Sequence, residues 1–320
     1  MTYRKYTKAE AKDYARKNLR GIWAAGLNPF RDDLALDEDG LRANIRHWTR
    51  ELGIDGLFIS GKQGEFYAMS IEERKRTFEI AVEETEGHAG TILSASDQNL
   101  DTVLELARHA EDIGADYVVV HAPVLHFVHQ QDATLYEYYR YLSEQLDIGI
   151  AMWSHPDSGY LMSPELCARI AELPNIVAIK YSVPRKMYAE LTQLVGDKLI
   201  VSTSSEDEWL DNIVELNWQV YLCSSPPYLI QTANDRRMRD YTDLAFAGDV
   251  EGARKVWESL QPVRQALKGS RPADKPHAHQ KYWQEMLGQT GGRTRRPMLE
   301  LTEAEKTATK AAFEGCGLVP

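Results

Sequence analysis

Cysteine is scarce in this chain. There are three, Cys167, Cys223 and Cys316, at unrelated spacings. An odd number at such spacings fits neither a disulfide framework nor a zinc site and suits a reducing cytoplasm. Long apolar runs are also missing, so no segment has the length a membrane span needs. The N-terminus, Met1-Thr-Tyr-Arg-Lys-Tyr-Thr-Lys-Ala-Glu, is charged and lacks the apolar core of a signal peptide. Basic charge is in deficit: 37 Lys and Arg stand against 48 Asp and Glu, a formal charge of −11. That excludes nonspecific nucleic-acid binding, which needs a basic face. Low-complexity tracts and internal repeats beyond the strand–helix alternation described next are absent.

What is present is an ordinary globular composition, 43% hydrophobic and 27% charged. Short β-branched runs alternate with longer stretches of helical period. The runs fall at 21–25, 56–60, 90–94, 116–121, 148–153, 176–180, 198–202 and 219–223. Amphipathic stretches such as 70–84 and 100–113 lie between them. The first opens Ser70-Ile-Glu-Glu73, a capping box that satisfies free backbone donors. Glycine turns at Gly53 and Gly114 close the helices before the second and fourth runs. Eight such units predict an α/β fold, a (β/α)8 TIM barrel. The rival, a doubly wound sheet, would usually carry a glycine-rich dinucleotide loop after its first strand, where this chain has Ala25-Gly-Leu-Asn-Pro-Phe30. The expected organisation is an N-terminal helical extension at 1–20, the barrel at 21–230, and a helical region at 231–320 that completes and caps it. Helical patterns there cover 232–247, 250–268, 277–287 and 302–313, with loops at 269–276 and 291–297.

Barrel active sites lie at the C-terminal ends of the strands, which directs attention to Lys180. It ends Asn175-Ile-Val-Ala-Ile-Lys180, a run that reads as a strand buried on both faces. Burial disfavours a lysine's ammonium form and makes the amine a nucleophile able to form a Schiff base. A lysine snorkelling to solvent is the bland alternative. Other unusual residues fall at strand mouths: Gly61-Lys-Gln-Gly-Glu65 after the second, Trp153-Ser-His155 after the fifth, Ser204 and Ser205 after the seventh, and Tyr221 with Ser224 and Ser225 on and after the eighth. A glycine-flanked loop leading to a helix offers backbone N–H groups to a carboxylate, although turn geometry alone also explains such glycines. His121, His126 and His129 match no common metal spacing. His277 and His279 are read as capping or packing residues, and Trp209, Trp218, Trp257 and Trp283 as core or interface aromatics.

These segments resemble the dihydrodipicolinate synthase/N-acetylneuraminate lyase family of class I aldolases and dehydratases. Gly61-Lys-Gln-Gly-Glu65 is similar to the family's Gly-Thr-Thr-Gly-Glu loop, Asn175 to Lys180 to its Schiff-base segment, and Leu299-Glu-Leu-Thr-Glu-Ala-Glu-Lys306 to its closing stretch. The resemblance runs from about residue 20 to 317. It implies a barrel with a C-terminal helical domain, usually a homotetramer, and a 2-oxo acid, commonly pyruvate, held as an imine on Lys180. No cofactor beyond that covalent imine and no metal is expected. Gly61, Lys62, Gln63, Ser204 and Tyr221 are the candidate substrate-binding residues.

The departures are as informative. The family's strand-five tyrosine, its proton shuttle, aligns with Trp153, and an indole only donates a hydrogen bond. Its two threonines become Lys62 and Gln63. The aromatic that crosses the subunit interface in lysine-biosynthesis members becomes Leu125, and their arginine is missing from Pro156-Asp-Ser-Gly-Tyr160. Together these argue against dihydrodipicolinate synthesis. His155 is the candidate replacement for the tyrosine, since its reference pKa suits acid/base work, with Tyr160 second. His155-Pro156, Lys281-Tyr-Trp283 and the N-terminal extension also resemble, in part, the family's hydratase-aldolases that process aromatic side-chain pyruvates. The expectation is a cytoplasmic Schiff-base lyase acting on a small 2-oxo acid, an aldolase or hydratase-aldolase with an aromatic or bulky substrate. The alternatives are a dehydratase or decarboxylating dehydratase of a sugar-derived 2-oxo acid and, from a different class, a binding protein that keeps Lys180 without a proton shuttle.

Overall fold

The computed structural model describes residues 4–123, 132–158, 160–222 and 227–319. Eight parallel strands alternate with helices in a nearly closed (β/α)8 barrel, followed by C-terminal helices. The strands are β1 Gly21–Ala25, β2 Gly56–Ile59, β3 Gly90–Ser94, β4 Tyr117–His121, β5 Gly149–Ser154, β6 Ile176–Tyr181, β7 Ile200–Ser202 and β8 Val220–Leu222. Their order in the sheet is β7-β6-β5-β4-β3-β2-β1-β8. All but the first residue of β3 and the last of β4 are buried. That is why the strands read as continuous β-branched runs rather than alternating ones. Among the described residues no helix is long and apolar enough to cross a membrane.

The chain divides into two compact units. The first comprises Met1–Trp23 and Gly90–Cys223. Within it β3 to β7 pair in sequence order, and β1 pairs with β8. The ladder ends at β7 and β8, where a side chain closes the seam. The Ser202 hydroxyl donates to the Val220 carbonyl and accepts from the Leu222 N–H, each at 2.9 Å. The helix Ala11–Asn18 and the residues before it seal the N-terminal strand ends. Asp116, just before β4, accepts from Lys5 Nζ (2.9 Å), the Tyr14 hydroxyl (2.6 Å) and the Thr91 N–H (2.9 Å). Tyr6 accepts from the Gly149 N–H at 2.8 Å, and its ring stacks on Tyr14. A Cβ at Gly149 would lie 3.0 Å from both Tyr117 and the Tyr6 hydroxyl, so these rings pack against the bare backbone and would have to give way to any side chain.

The second unit comprises Ala24–Ala89 and Ser224–Pro320. Trp48 stacks on Tyr228 at 4.0 Å, and the Tyr228 hydroxyl donates to Ala25 O (2.8 Å) and accepts from the Leu27 N–H (3.0 Å). The predicted capping box is present at the helix Ile71–Thr85: Ser70 accepts from Glu73 N, and Glu73 accepts from Ser70 N. Two predicted helices differ. The 250–268 pattern is split into Val250–Ser259 and Gln261–Gly269, because Pro262 lacks an N–H and its ring clashes with the preceding turn. The helix expected from 232 starts only at Arg237, since the Thr232 hydroxyl accepts from the Asn234 and Asp235 N–H groups in a competing turn.

Ser202→Ala strands a buried donor and acceptor at the β7–β8 seam. A loss of about 1–3 kcal/mol in denaturant unfolding is expected; a change under about 0.5 kcal/mol would show that the hydroxyl does not close it.

Candidate active site

Among the described residues two lysines are deeply buried, Lys180 at 3% exposure and Lys281 at 1%, and their surroundings differ. Lys281, in the second unit, is committed to structure. Its amine donates to Glu65 Oε1 at 2.6 Å and to the Arg293 carbonyl at 2.5 Å, and it lies 4.5 Å from the Phe30 ring centroid. Burial pulls its pKa below the usual value, while the Glu65 carboxylate acts the other way. Lys180, in the first unit, ends its strand with Nζ 5.1 Å from the Trp153 ring centroid. Strand register explains that contact, because Trp153 pairs with Lys180. The same row continues to His121 on β4 and Ser202 on β7, and side chains in register on neighbouring strands project to the same face. The row therefore reads His121, Trp153, Lys180, Ser202.

His121 meets the indole edge-on, with centroids 5.3 Å apart at 81°. His155, two residues further along the chain, lies 6.4 Å from the Trp153 centroid at 72°. His155 Nδ1 accepts the Asp157 N–H at 3.1 Å, so its proton sits on Nε2, and the Asp157 carboxylate is 3.4 Å away. Tyr160 donates its hydroxyl to Asp132, and burial, followed by that carboxylate, pushes its pKa up. Ser204 Oγ is 3.0 Å from Ser182 Oγ, and the Tyr221 hydroxyl donates weakly to the Ser204 carbonyl at 3.4 Å. The structure thus groups Lys180 with Trp153 and His155, and Ser204 with Tyr221. Leu125, His126, His129, Cys223, Ser224 and Ser225 lie outside the described residues. Cys167 and Cys316 are free and buried; burial pushes the Cys167 thiol up.

The loop Gly61-Lys-Gln-Gly-Glu65 belongs to the second unit, and its frame is unusual. The flanking residues Ser60 (φ +54°) and Glu65 (φ +56°) are both left-handed although neither is glycine. Such conformations persist only when the surroundings over-determine them, and they cluster at functional sites. Here Ser60 Oγ is 2.6 Å from Thr77 Oγ1. Both Glu65 oxygens are held, one by Lys281 and the other by the Arg295 N–H at 2.8 Å. Arg295 also forms a two-point ion pair with Glu73, whose carboxyl it holds down at about 2. Inside the loop, His277 Nε2 donates to the Lys62 carbonyl (2.9 Å) and Asn28 Nδ2 to the Gly64 carbonyl (2.8 Å). Gly61 is packed against the Phe58 ring, 2.7 Å from where a Cβ would be. Gln63 is buried and the Lys62 side chain exposed. His277 and His279 pack as expected, His279 Nε2 lying 2.8 Å from Ser270 Oγ.

The second unit also contains a cavity of about 770 Å³ bordered by Phe30, Asp32, Tyr282 and Arg293. Its carboxylates serve local structure: Asp37 caps a helix, Asp32 pairs with Arg293, and Glu300 accepts from Thr294. Among the described residues no group of three or more His, Cys, Asp or Glu is arranged to hold a metal ion.

Three features of the two units were not read from the sequence. The Glu65–Lys281 pair joins residues 216 apart, which no local pattern reveals. Neither left-handed residue is a type that announces that conformation. His121 is visible as the last residue of a predicted strand, in the same place as Trp153 and Lys180 on theirs.

These elements build a parallel (β/α)8 barrel with a lysine buried at the mouth of one strand. Comparison with known proteins narrows the class. Residues 18–315 match the model of the dihydrodipicolinate synthetase family. The chain is 28% identical to the 4-hydroxy-tetrahydrodipicolinate synthase of Methanothrix thermoacetophila, covering 89% of this chain and 92% of that one. It is 28% identical to the Methanopyrus kandleri enzyme of the same name, covering 94% and 98%. In fold it is similar to a prophage protein of the dihydrodipicolinic acid synthase family from Escherichia coli, solved with pyruvate, at TM-score 0.83 and 21% identity over 94% and 99% of the two chains. The N-acetylneuraminate lyase of Fusobacterium nucleatum gives TM-score 0.81 at 21% identity over 92% and 98%. This chain belongs to the dihydrodipicolinate synthetase family, and with it to the aldolase-type lyases.

Removing one partner of the buried pair leaves an uncompensated charge. Lys281→Met is expected to cost about 3–5 kcal/mol in chemical denaturation, and the double variant Lys281→Met/Glu65→Leu to recover most of it. Equal losses in single and double variants would show that packing, not charge, is what the pair supplies.

Proposed function

We propose that this protein is a Schiff-base-forming lyase of a small 2-oxo acid, with Lys180 as the nucleophile. The observation that carries the reading is a lysine amine buried at the end of β6 against an indole face, in a chain whose family motif assigns the imine to this lysine. The amine attacks the substrate carbonyl and the adduct loses water to leave a protonated imine. That cation draws electrons from the adjacent carbon, so a carbanion there is delocalised as an enamine and carbon–carbon cleavage or addition becomes feasible near neutral pH. No separate cofactor is required. The Trp153 face is well placed for the iminium charge, since a cation within about 6 Å of an indole is attracted by the ring quadrupole.

Gly61, Lys62 and Gln63 are the carboxylate-binding candidates on their match to the family loop, and Ser204 and Tyr221 are further substrate-binding candidates. His155, whose Nδ1 accepts the Asp157 N–H, is assigned a hydrogen-bond donor role toward the substrate oxygen through Nε2. A tryptophan where the resemblance implies a tyrosine, in ring contact with His121 and His155, favours an aldolase or hydratase-aldolase with an aromatic or bulky substrate over dihydrodipicolinate synthesis. Assembly as a homotetramer in the cytoplasm belongs to the same reading.

Incubation with pyruvate and borohydride, followed by intact mass measurement, tests it. A pyruvate-sized adduct on the wild type that is absent from Lys180→Ala is expected. The absence of an adduct with pyruvate and with every member of a 2-oxo acid panel would sink the reading.

A further inference from the structure

We propose that His121 is the base of the reaction, taking the proton from the substrate atom that feeds electrons toward the imine on Lys180. The inference rests on the assignment of the imine to Lys180. Its own support is the row His121, Trp153, Lys180 at the mouths of β4, β5 and β6. Both functional groups approach the same indole, its centroid 5.3 Å from that of the imidazole and 5.1 Å from the lysine nitrogen.

His121 is held in place by its strand and its neighbours. Its N–H donates to Ser96 Oγ at 2.9 Å, and Ser96 in turn receives the Ser94 hydroxyl at 3.2 Å. The imidazole borders a small cavity beside the indole, with Leu135, Ser154, Tyr160 and Met162. Burial above all lowers its pKa, with the neighbouring His155 adding to the effect while the Ala122 backbone and Asp157 act the other way, which favours the neutral ring. His155, the other imidazole in contact with this indole, has its Nδ1 occupied by the Asp157 N–H.

The proton bookkeeping closes with these groups. In a pyruvate imine His121 takes a proton from the methyl carbon. The C–H pair becomes the enamine double bond, and the C=N pair moves to nitrogen and neutralises it. In a 4-hydroxy-2-oxo acid His121 takes the hydroxyl proton. The O–H pair becomes the product carbonyl, the carbon–carbon pair becomes the enamine, and the imidazolium then protonates the enamine carbon. Water hydrolyses the resulting imine and restores the Lys180 amine.

The test uses pyruvate in deuterated buffer, with loss of the methyl signal followed by proton NMR and borohydride trapping run in parallel. His121→Asn keeps the ring's approximate size but cannot move a proton. It is expected to slow methyl exchange by about 10²-fold while trapping stays within about twofold of wild type. His88→Asn, an exposed histidine elsewhere, should behave as wild type in both assays. Added imidazole should restore part of the exchange to His121→Ala. Wild-type exchange in His121→Asn would overturn the proposal. So would a loss of trapping equal to the loss of exchange, or wild-type protein that traps pyruvate without exchanging it. Wild-type protein that traps no oxo acid removes the imine assignment itself, a different failure that takes this proposal with it.

Discussion

Burial on both faces is the constraint from which the site follows. A parallel strand lined on each side by packed side chains can present chemistry only at its end, and strand pairing then decides which ends meet. Lys180 is therefore at once a core residue and the head of a row. Its neighbours His121, Trp153 and Ser202 are set by the register of β4, β5, β6 and β7. Ser202 shows how closely fold and site are joined, since the side chain in register with Lys180 also bonds the backbone of β8.

The two buried lysines show how environment, not burial alone, assigns a role. Lys281 is saturated by a carboxylate, a carbonyl and an aromatic face, and the pair it forms anchors a strained left-handed glutamate at the end of the glycine loop. A buried ion pair is weak evidence for net stability. Its better-attested use is to specify one arrangement, and here that is the backbone path from Ser60 to Glu65. Strain held in place by hydrogen bonds to both carboxylate oxygens marks this loop as a part of the molecule shaped for something other than stability.

Much of this was legible in the residues. All eight strands fall where the β-branched runs predict them, with ends moved by one or two residues, and the Ser70 capping box forms as its spacing implies. The family follows from Lys180 and the glycine loop together. What the sequence conceals is three-dimensional. The partner of Glu65 lies on a helix 216 residues away. The pairing of His121 with Trp153 depends on a register that a single sequence does not state. The break at Leu260 was signalled by Pro262 but hidden by an apolar period that runs through it. The resemblance read from the sequence and the local chemistry pull apart at one place, strand five, where Trp153, in ring contact with His121 and His155, takes the position at which that resemblance implies a tyrosine.

The central claim is that one amine among many forms the imine. Peptide mapping of the protein after treatment with isotopically labelled pyruvate and borohydride tests it most directly. The label is expected on the peptide bearing Lys180 and nowhere else. Label on Lys281 or Lys62, or a label spread over exposed lysines, would contradict the assignment of the site to the end of β6.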